Sequence, residues 1–195
     1  MKIWCRLILM SFLVLAAPAF AQDEAVDGRL EAFTACVSAM KDIFTQSMTL
    51  AGKDGVRVTC TLMPTDEIVS AAWKIENPGG ALLTVRAGDV RLYSGEKEFA
   101  QVPTDQAVEI MDTWPNEENT RTASGAIEQD LQPRPGEIAK EALMYRSAFR
   151  FGSASDTVIT GITYFSCRLK DLPGVTAEIK VNGQAYAFAF DGVGP

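Results

Sequence analysis

Two cysteines on distant stretches of the chain have the clearest potential for covalent chemistry. Cys60 lies in residues 56–62 and Cys167 in residues 161–169, and apolar and polar residues alternate in both stretches. Because successive side chains of a strand point to opposite faces, this alternation directs both cysteines into the core of a sheet. Paired cysteines oxidise in exported proteins. The sequence therefore predicts a Cys60–Cys167 disulfide and leaves Cys36 as a buried or intermolecular thiol.

Histidine is absent from the sequence. This excludes Ser-His-Asp and Cys-His catalysis, and zinc or haem held by histidine. Two Ser-x-x-Lys spacings, at residues 38–41 and 94–97, have the form of the Ser–Lys pair in penicillin-recognising enzymes. The companion Ser-Asp-Asn and Lys-Thr-Gly motifs are missing. We therefore interpret both spacings as chance matches and predict no catalytic residue there.

Carboxylates gather between residues 109 and 137, and these are Glu109, Asp112, Glu117, Glu118, Glu128, Asp130 and Glu137. A pair of them in a cleft could supply the acid and base of a hydrolase. No Asp-x-Asp-x-Asp loop supports calcium, so the sequence predicts no metal site, and it predicts no cofactor. A solvated acidic loop is the favoured interpretation.

The same segment contains Trp114 beside Pro115. An aromatic side chain at the edge of a polar loop can anchor a partner. We therefore predict a partner contact made by Trp114, Glu117, Glu118 and Arg121.

The first 21 residues have the pattern of an export signal. Lys2 and Arg6 flank an apolar run at residues 7–17, and Ala19, Phe20 and Ala21 fit the small-x-small cleavage rule. Cleavage after Ala21 would leave residues 22–195 as a single periplasmic or secreted domain. No later apolar run reaches the ~20 residues that a membrane helix needs.

The chain is acidic, with a formal net charge of −7. Loss of Lys2 and Arg6 with the signal peptide would remove two positive charges and make it −9. A surface of this sign repels phosphate backbones and anionic lipid, so nucleic acid and membrane surfaces are not expected partners.

Periodicity predicts one N-terminal helix followed mainly by strands. Apolar residues from Val26 to Met48 recur every three or four positions, which is typical of an amphipathic helix, with Arg29 on its polar face. Alternating patterns predict strands at residues 56–62, 71–76, 81–86, 90–94, 99–102, 145–151 and 161–169. Residues 103–144 are predicted to form an irregular acidic insertion with a short helix at 105–113 and a helix turn or two at 137–144.

The clearest local signal is the pair of strands at residues 175–181 and 184–190. Asn182 and Gly183 between them favour the positive φ angles of a type I′ turn. The resulting register pairs Ile179 with Tyr186, and the next inward pairs place a small residue opposite a large one.

Together these elements predict a mainly β (α+β) fold, in which the N-terminal amphipathic helix packs on an antiparallel β-sandwich. The inward residues Cys60, Trp73 and Cys167 resemble the Cys…Trp…Cys core of immunoglobulin-like domains. That resemblance implies an immunoglobulin-like sandwich with residues 103–147 as an insertion, but a shared fold carries no function by itself.

The sequence favours a non-enzymatic exported protein that binds a protein or a cell-envelope component. The alternative is a carboxylate-dependent hydrolase that uses acidic residues of the 109–137 segment.

Overall fold

Antiparallel strands make up most of the chain in the computed structural model, which describes residues 28–37, 46–52, 54–65, 67–112, 135–168 and 174–190. The strands are β1 (Gln46–Ala51), β2 (Arg57–Pro64), β3 (Val69–Glu76), β4 (Leu83–Val85), β5 (Val90–Ser94), β6 (Lys97–Phe99), β7 (Gln101–Val102), β8 (Gly152–Ala154), β9 (Val158–Phe165), β10 (Val175–Val181) and β11 (Gln184–Phe190). The helices are α1 (28–37), α2 (Thr104–Asp112) and α3 (Pro135–Ser147).

The strands form three antiparallel sheets. The five-stranded sheet has the order β1-β2-β3-β9-β7, the four-stranded sheet has the order β11-β10-β5-β6, and β4 pairs with β8. The mainly β fold with antiparallel sheets that the alternating patterns predicted is therefore confirmed.

The larger hydrophobic core contains residues from all three sheets. Val56, Val58, Cys60 and Leu62 are buried in it, as their alternation predicted. Trp73 of β3 meets Phe188 of β11 edge to face, with ring centroids 6.0 Å apart. Contacts of this kind hold one face of the five-stranded sheet against the four-stranded sheet.

The opposite face of the five-stranded sheet is covered by helices. Cys36 of α1, Met111 of α2 and Met144 of α3 form a second buried cluster with Ile162 and Tyr164 of β9. The middle of this sheet is therefore buried on both sides, which explains why Ala72 and Ile162 are as inaccessible as the inward residues beside them.

The C-terminal hairpin has the predicted register. Ile179 pairs with Tyr186, Ala177 with Phe188 and Val175 with Phe190. Asn182 and Gly183 have φ angles of 51° and 79°, as a type I′ turn requires. The predicted hairpin, its turn and its strand pairing are therefore confirmed.

The predicted N-terminal helix is wrong at its C-terminal end. Residues 38–45 lie outside the described part, and Gln46–Ala51 is an edge strand rather than helix. Met48 pairs with Cys60, while the hydroxyls of Thr49 and Thr59 lie 2.9 Å apart on the other face. Residues 46–51 also alternate with a period of two, and pairing with β2 favours that period over the helical one.

The helices near residues 103–151 bear on two predictions. The short helix predicted at 105–113 is confirmed as α2, while α3 is longer than the turn or two predicted at 137–144 and extends beyond the predicted bound of 144; the two helices contact each other and β9. Residues 145–151 do not form a strand, because α3 continues to Ser147, whose hydroxyl donates a hydrogen bond to the carbonyl oxygen of Leu143 at 2.6 Å. Tyr145 is accordingly exposed.

The structure forms no disulfide between Cys60 and Cys167, which the sequence predicted, and both side chains are buried. They do share one core, as predicted. Cys60 pairs with Trp73, and Trp73 with Gly161, so Cys60 lies about 10 Å, or two strand spacings, from β9.

The strand register explains this absence. Phe165 is about 13 Å farther along β9 than Gly161, which places its Cα about 16 Å from that of Cys60. The two residues from Phe165 to Cys167 can recover at most about 7 Å. A disulfide requires Cα atoms within about 7 Å, so this register cannot accommodate one. Cys36 is no alternative partner, because it lies in the cluster on the opposite face.

Gly161 has a specific packing role in β9. Phe149 donates a backbone hydrogen bond to the carbonyl oxygen of Ile162 at 2.9 Å, and this bond holds Phe149 across the glycine. A Cβ at position 161 would overlap the Cα of Phe149 and lie 2.8 Å from its Cβ. A residue with a side chain is therefore excluded unless the 149 segment moves.

We expect Gly161→Ala to lower the free energy of unfolding by about 1–3 kcal/mol, because overpacking forces this segment away from β9. Urea denaturation of residues 22–195 would measure the loss. Gly88 is exposed, and a Cβ added there would meet no atom within 4 Å, so Gly88→Ala is a matched control expected to stay within about 0.5 kcal/mol. Equal losses in the two variants would contradict the packing role.

Candidate functional site

The residues predicted to contact a partner, Trp114, Glu117, Glu118 and Arg121, lie outside the described residues. The same holds for Glu128 and Asp130 and for the side chains of Asp112 and Glu137. Of the predicted acidic group, only the Glu109 side chain is described, and it is exposed on α2. The described part of the chain therefore brings no two of these carboxylates together, and the disposition of the rest stays a prediction.

The Ser-x-x-Lys spacing at residues 94–97 belongs to a hairpin. Ser94 and Lys97 are directly paired at the ends of β5 and β6, with Gly95 at a positive φ in the turn. Ser–Lys catalysis uses this spacing on the first turn of a helix, so the hairpin does not supply that geometry. Ser38 and Lys41 lie outside the described residues.

The thiols are also poor candidates for chemistry. Burial raises the pKa of Cys36 more than its hydrogen bond with Ser147 lowers it, and burial raises the pKa of Cys60 well above its usual value. The thiolate is the reactive form, so both groups are protonated and unreactive near neutral pH.

A surface pocket of about 220 Å³ is the best candidate for a binding site. It lies between α1 and the segment that connects α3 to β9, and its lining residues are Arg29, Leu30, Arg150, Phe151, Gly152, Ser153, Ala154, Asp156, Val158, Ile159 and Thr160. The lining combines two guanidinium groups, one carboxylate and apolar side chains.

Arg29 is the most constrained of the charged groups in the pocket. Its Nη2 donates a hydrogen bond to the carbonyl oxygen of Thr160 at 3.1 Å, while its Nε is buried and has no hydrogen-bond partner among the described residues. Burial lowers the pKa of Arg29, as does the nearby positive charge of Arg150, while Asp156 raises it. Two like charges therefore act on each other inside this pocket.

Ion pairing distinguishes these two arginines from others in the fold. Arg57 contacts Glu76 at 3.0 Å, and Arg91 donates to Glu98 at 2.8 Å. Within the described ranges, neither Arg29 nor Arg150 forms an ion pair with a carboxylate, not even with the nearby carboxylate of Asp156. The two guanidinium groups of the pocket thus have spare donors.

The pocket lies beside an uncovered edge of β9. On that edge β7 pairs with Phe165 and Tyr164, and Ala148 forms a parallel bridge to Ile162. No described strand pairs with residues 158–160 on the same edge, and this leaves the carbonyl oxygen of Thr160 for Arg29.

Asn77 anchors the loop that carries Asp156. Its side-chain amide donates to the carbonyl oxygens of Asp156 at 3.2 Å and Ala81 at 2.8 Å. Its backbone N–H donates to the carbonyl oxygen of Thr157 at 2.7 Å, and the residue is buried. This buried amide therefore fixes one wall of the pocket to the turn after β3.

The described lining of the pocket has two hydroxyl side chains, those of Ser153 and Thr160. The Oγ of Ser153 lies 2.7 Å from that of Thr84, and among the described residues it has no hydrogen bond to a base. In the described ranges no three His, Cys, Asp or Glu side chains lie where they could hold a metal ion. Within the same ranges, no helix is long and apolar enough to cross a membrane.

Sequence reasoning missed this pocket. It assigned Arg29 to the solvated face of a helix and Arg150 to a strand. No local signal connects them, because Arg29 and Arg150 are brought together only by the long-range packing of α1 near β9.

Comparison with known proteins gives no relative for this chain: no family model matches it, and neither a curated protein nor a solved structure does.

We expect all three described thiols to be unreactive in the native protein and reactive after unfolding. The raised pKa of Cys36 and of Cys60 means that little thiolate exists at pH 7, so labelling should accelerate as pH rises toward and beyond the usual thiol range. A thiol-specific reagent applied to residues 22–195, native and in denaturant, would measure the count. A peptide linked through Cys60 and Cys167 would contradict the strand register.

We expect Asn77→Ala to lower the free energy of unfolding by about 1–3 kcal/mol, because it removes two hydrogen bonds made by a buried side-chain amide. Chemical denaturation would provide the value. Gln106 is exposed on α2, and Gln106→Ala should stay within about 0.5 kcal/mol. If Asn77→Ala matched this control, the amide would not be what holds the Asp156 loop.

Proposed function

We propose that this chain is an exported, non-enzymatic binding protein of the periplasm or the extracellular space. It binds a protein or cell-envelope component through the pocket beside Arg29 and Arg150. The observation that carries this proposal is the presence of two arginines without ion-pair partners among the described residues, in a pocket with no arranged nucleophile and base. Such a site can hold a ligand but has no evident means to transform it.

The fold proposed for this function is an immunoglobulin-like β-sandwich with α1 packed on one sheet. The shared core of the five-stranded and four-stranded sheets supports two packed layers, and Cys60, Trp73 and Cys167 are all buried in it. Phe33 and Val37 of α1 pack against the second cluster on the outer face, which supports the docking of that helix. A rigid scaffold of this kind suits binding by loops and edges.

Export is supported by the sequence pattern of residues 1–21. The pocket belongs to the part that would remain after cleavage at Ala21, since its first lining residue is Arg29. The predicted contact through Trp114, Glu117, Glu118 and Arg121 is proposed as a second area of the same binding surface. The hydrolase alternative gains no support from the described residues, where Glu109 is exposed and has no second carboxylate of the group beside it.

Affinity capture from a bacterial envelope extract, with residues 22–195 as bait, tests the proposal. We expect a partner that binds the wild type and is lost with the double variant Arg29→Gln/Arg150→Gln, because both guanidinium groups are removed from the pocket. Trp114→Ala should weaken capture if the second area contributes.

Arg168→Gln is the control for loss of an arginine outside the pocket, because Arg168 is exposed beyond the far end of β9. It removes one positive charge, and the double variant removes two. Loss of capture with this control, or equal capture by the double variant, would reject the pocket as the binding site. Expression of the full chain would also test export, and a secreted product that begins at Gln22 is expected.

A further inference from the structure

We propose that the pocket recognises a carboxylate attached to an apolar group. The inference rests on the proposed binding function and names the ligand class of the same site. Two kinds of ligand have this chemistry: a small free acid, and the C-terminus of a peptide chain with an apolar last residue.

The charge of the pocket selects an anion. Arg29 and Arg150 are close enough to repel each other, and neither is neutralised by a described carboxylate at ion-pair distance. The buried Nε of Arg29 has a donor hydrogen without a described acceptor. An anion held between the two guanidinium groups would accept hydrogen bonds from their remaining donors and offset the repulsion between them.

Asp156 discriminates between kinds of anion. It lines the pocket and is close enough to Arg29 to act on its charge. The two guanidinium groups and the Asp156 carboxylate leave a formal local charge of +1, which a singly charged carboxylate neutralises and a phosphate, with up to two negative charges, exceeds. The net negative charge of the whole chain acts in the same direction. A singly charged carboxylate is therefore the better match.

Apolar walls beside the arginines determine what the carboxylate carries. Leu30 and Phe151 line the pocket and are 37% and 39% exposed, although both are large and hydrophobic. An apolar substituent placed between them would remove their surface from water. The volume of about 220 Å³ is below the roughly 300 Å³ at which drug-sized pockets begin, which suits a single amino-acid-sized group.

The anchored arginine reduces the cost of binding. The bond from Arg29 to the Thr160 carbonyl fixes its guanidinium before the ligand arrives, so less side-chain freedom is lost on binding. Arg150 is exposed and can close on the carboxylate from the solvent side. Arg29 is therefore a fixed hydrogen-bond donor and Arg150 an adaptable one.

Titration of residues 22–195 with N-acetyl-leucine and with N-acetyl-leucine amide, followed by NMR, tests the proposal. The two probes have nearly the same shape, and only the first has a carboxylate. We expect the acid to bind at least about tenfold more tightly than the amide, as the loss of charge-assisted hydrogen bonds implies. Binding of the amide equal to that of the acid, or no binding of the acid, would overturn the carboxylate proposal.

Variants identify the groups that hold the acid. Arg150→Gln changes an exposed side chain and should weaken binding of the acid about tenfold without disturbing the fold, while Arg168→Gln should leave it unchanged. Arg29→Lys keeps the charge but removes the fork, and an intermediate loss is expected. Unchanged affinity in both pocket variants would overturn the assignment.

Two further comparisons separate the sources and the two proposals. A peptide that ends in leucine with a free C-terminus should bind more tightly than N-acetyl-leucine if the natural ligand is a chain end, and equally if it is a small acid; either result supports the carboxylate. If the acid does not bind but the double variant still loses its captured partner, the carboxylate proposal fails and the binding function stands. If the acid binds and no partner is captured, the binding of a protein or envelope component fails instead.

Discussion

The pairing of β3 with β9 is the contact on which the remaining structure depends. It joins eight residues of Val69–Glu76 to eight residues of Val158–Phe165, and these segments are about ninety positions apart in the chain. Trp73 strengthens the pairing, since its indole N–H donates to the Thr163 hydroxyl at 2.9 Å inside the core. Both faces of this central pair are buried, one under the four-stranded sheet and the other under the helices. Loss of this strand pairing would disrupt both hydrophobic clusters at once.

The pocket is a consequence of how the chain leaves α3 and reaches β9. The missing side chain at Gly161 lets Phe149 lie against the strand, and this approach directs Arg150 and Phe151 past the same edge. β8 then pairs with β4 instead of continuing along β9, so the edge at residues 158–160 has no described strand beside it. The carbonyl of Thr160 remains free to fix Arg29. One glycine thus connects the packing of the core to the geometry of the pocket.

Sequence patterns predicted the elements whose signal is local. The Asn182-Gly183 turn specified its hairpin and register, and alternation identified the inward face of β2. β1 was mistaken for helix because its apolar residues fit both periods, and only pairing with β2 decides between them. The sequence indicated that Cys60 and Cys167 face the same core, and this suggested a disulfide. It did not indicate how far apart they lie along the strands, and that distance separates the two thiols. The pocket combines α1 with residues more than a hundred positions away, so no local pattern could indicate it.

The contrast between local and overall charge bears on how such a pocket would work. The chain carries a net charge of −7, so at long range it repels an anionic ligand. Screening limits this repulsion to about 8 Å at physiological ionic strength, whereas the two arginines act on a ligand already inside the pocket. Attraction is therefore confined to the final approach, where hydrogen-bond geometry and apolar contact also operate. An anion without an apolar group would meet the repulsion and gain only part of the attraction, so the acidic surface itself contributes to selectivity.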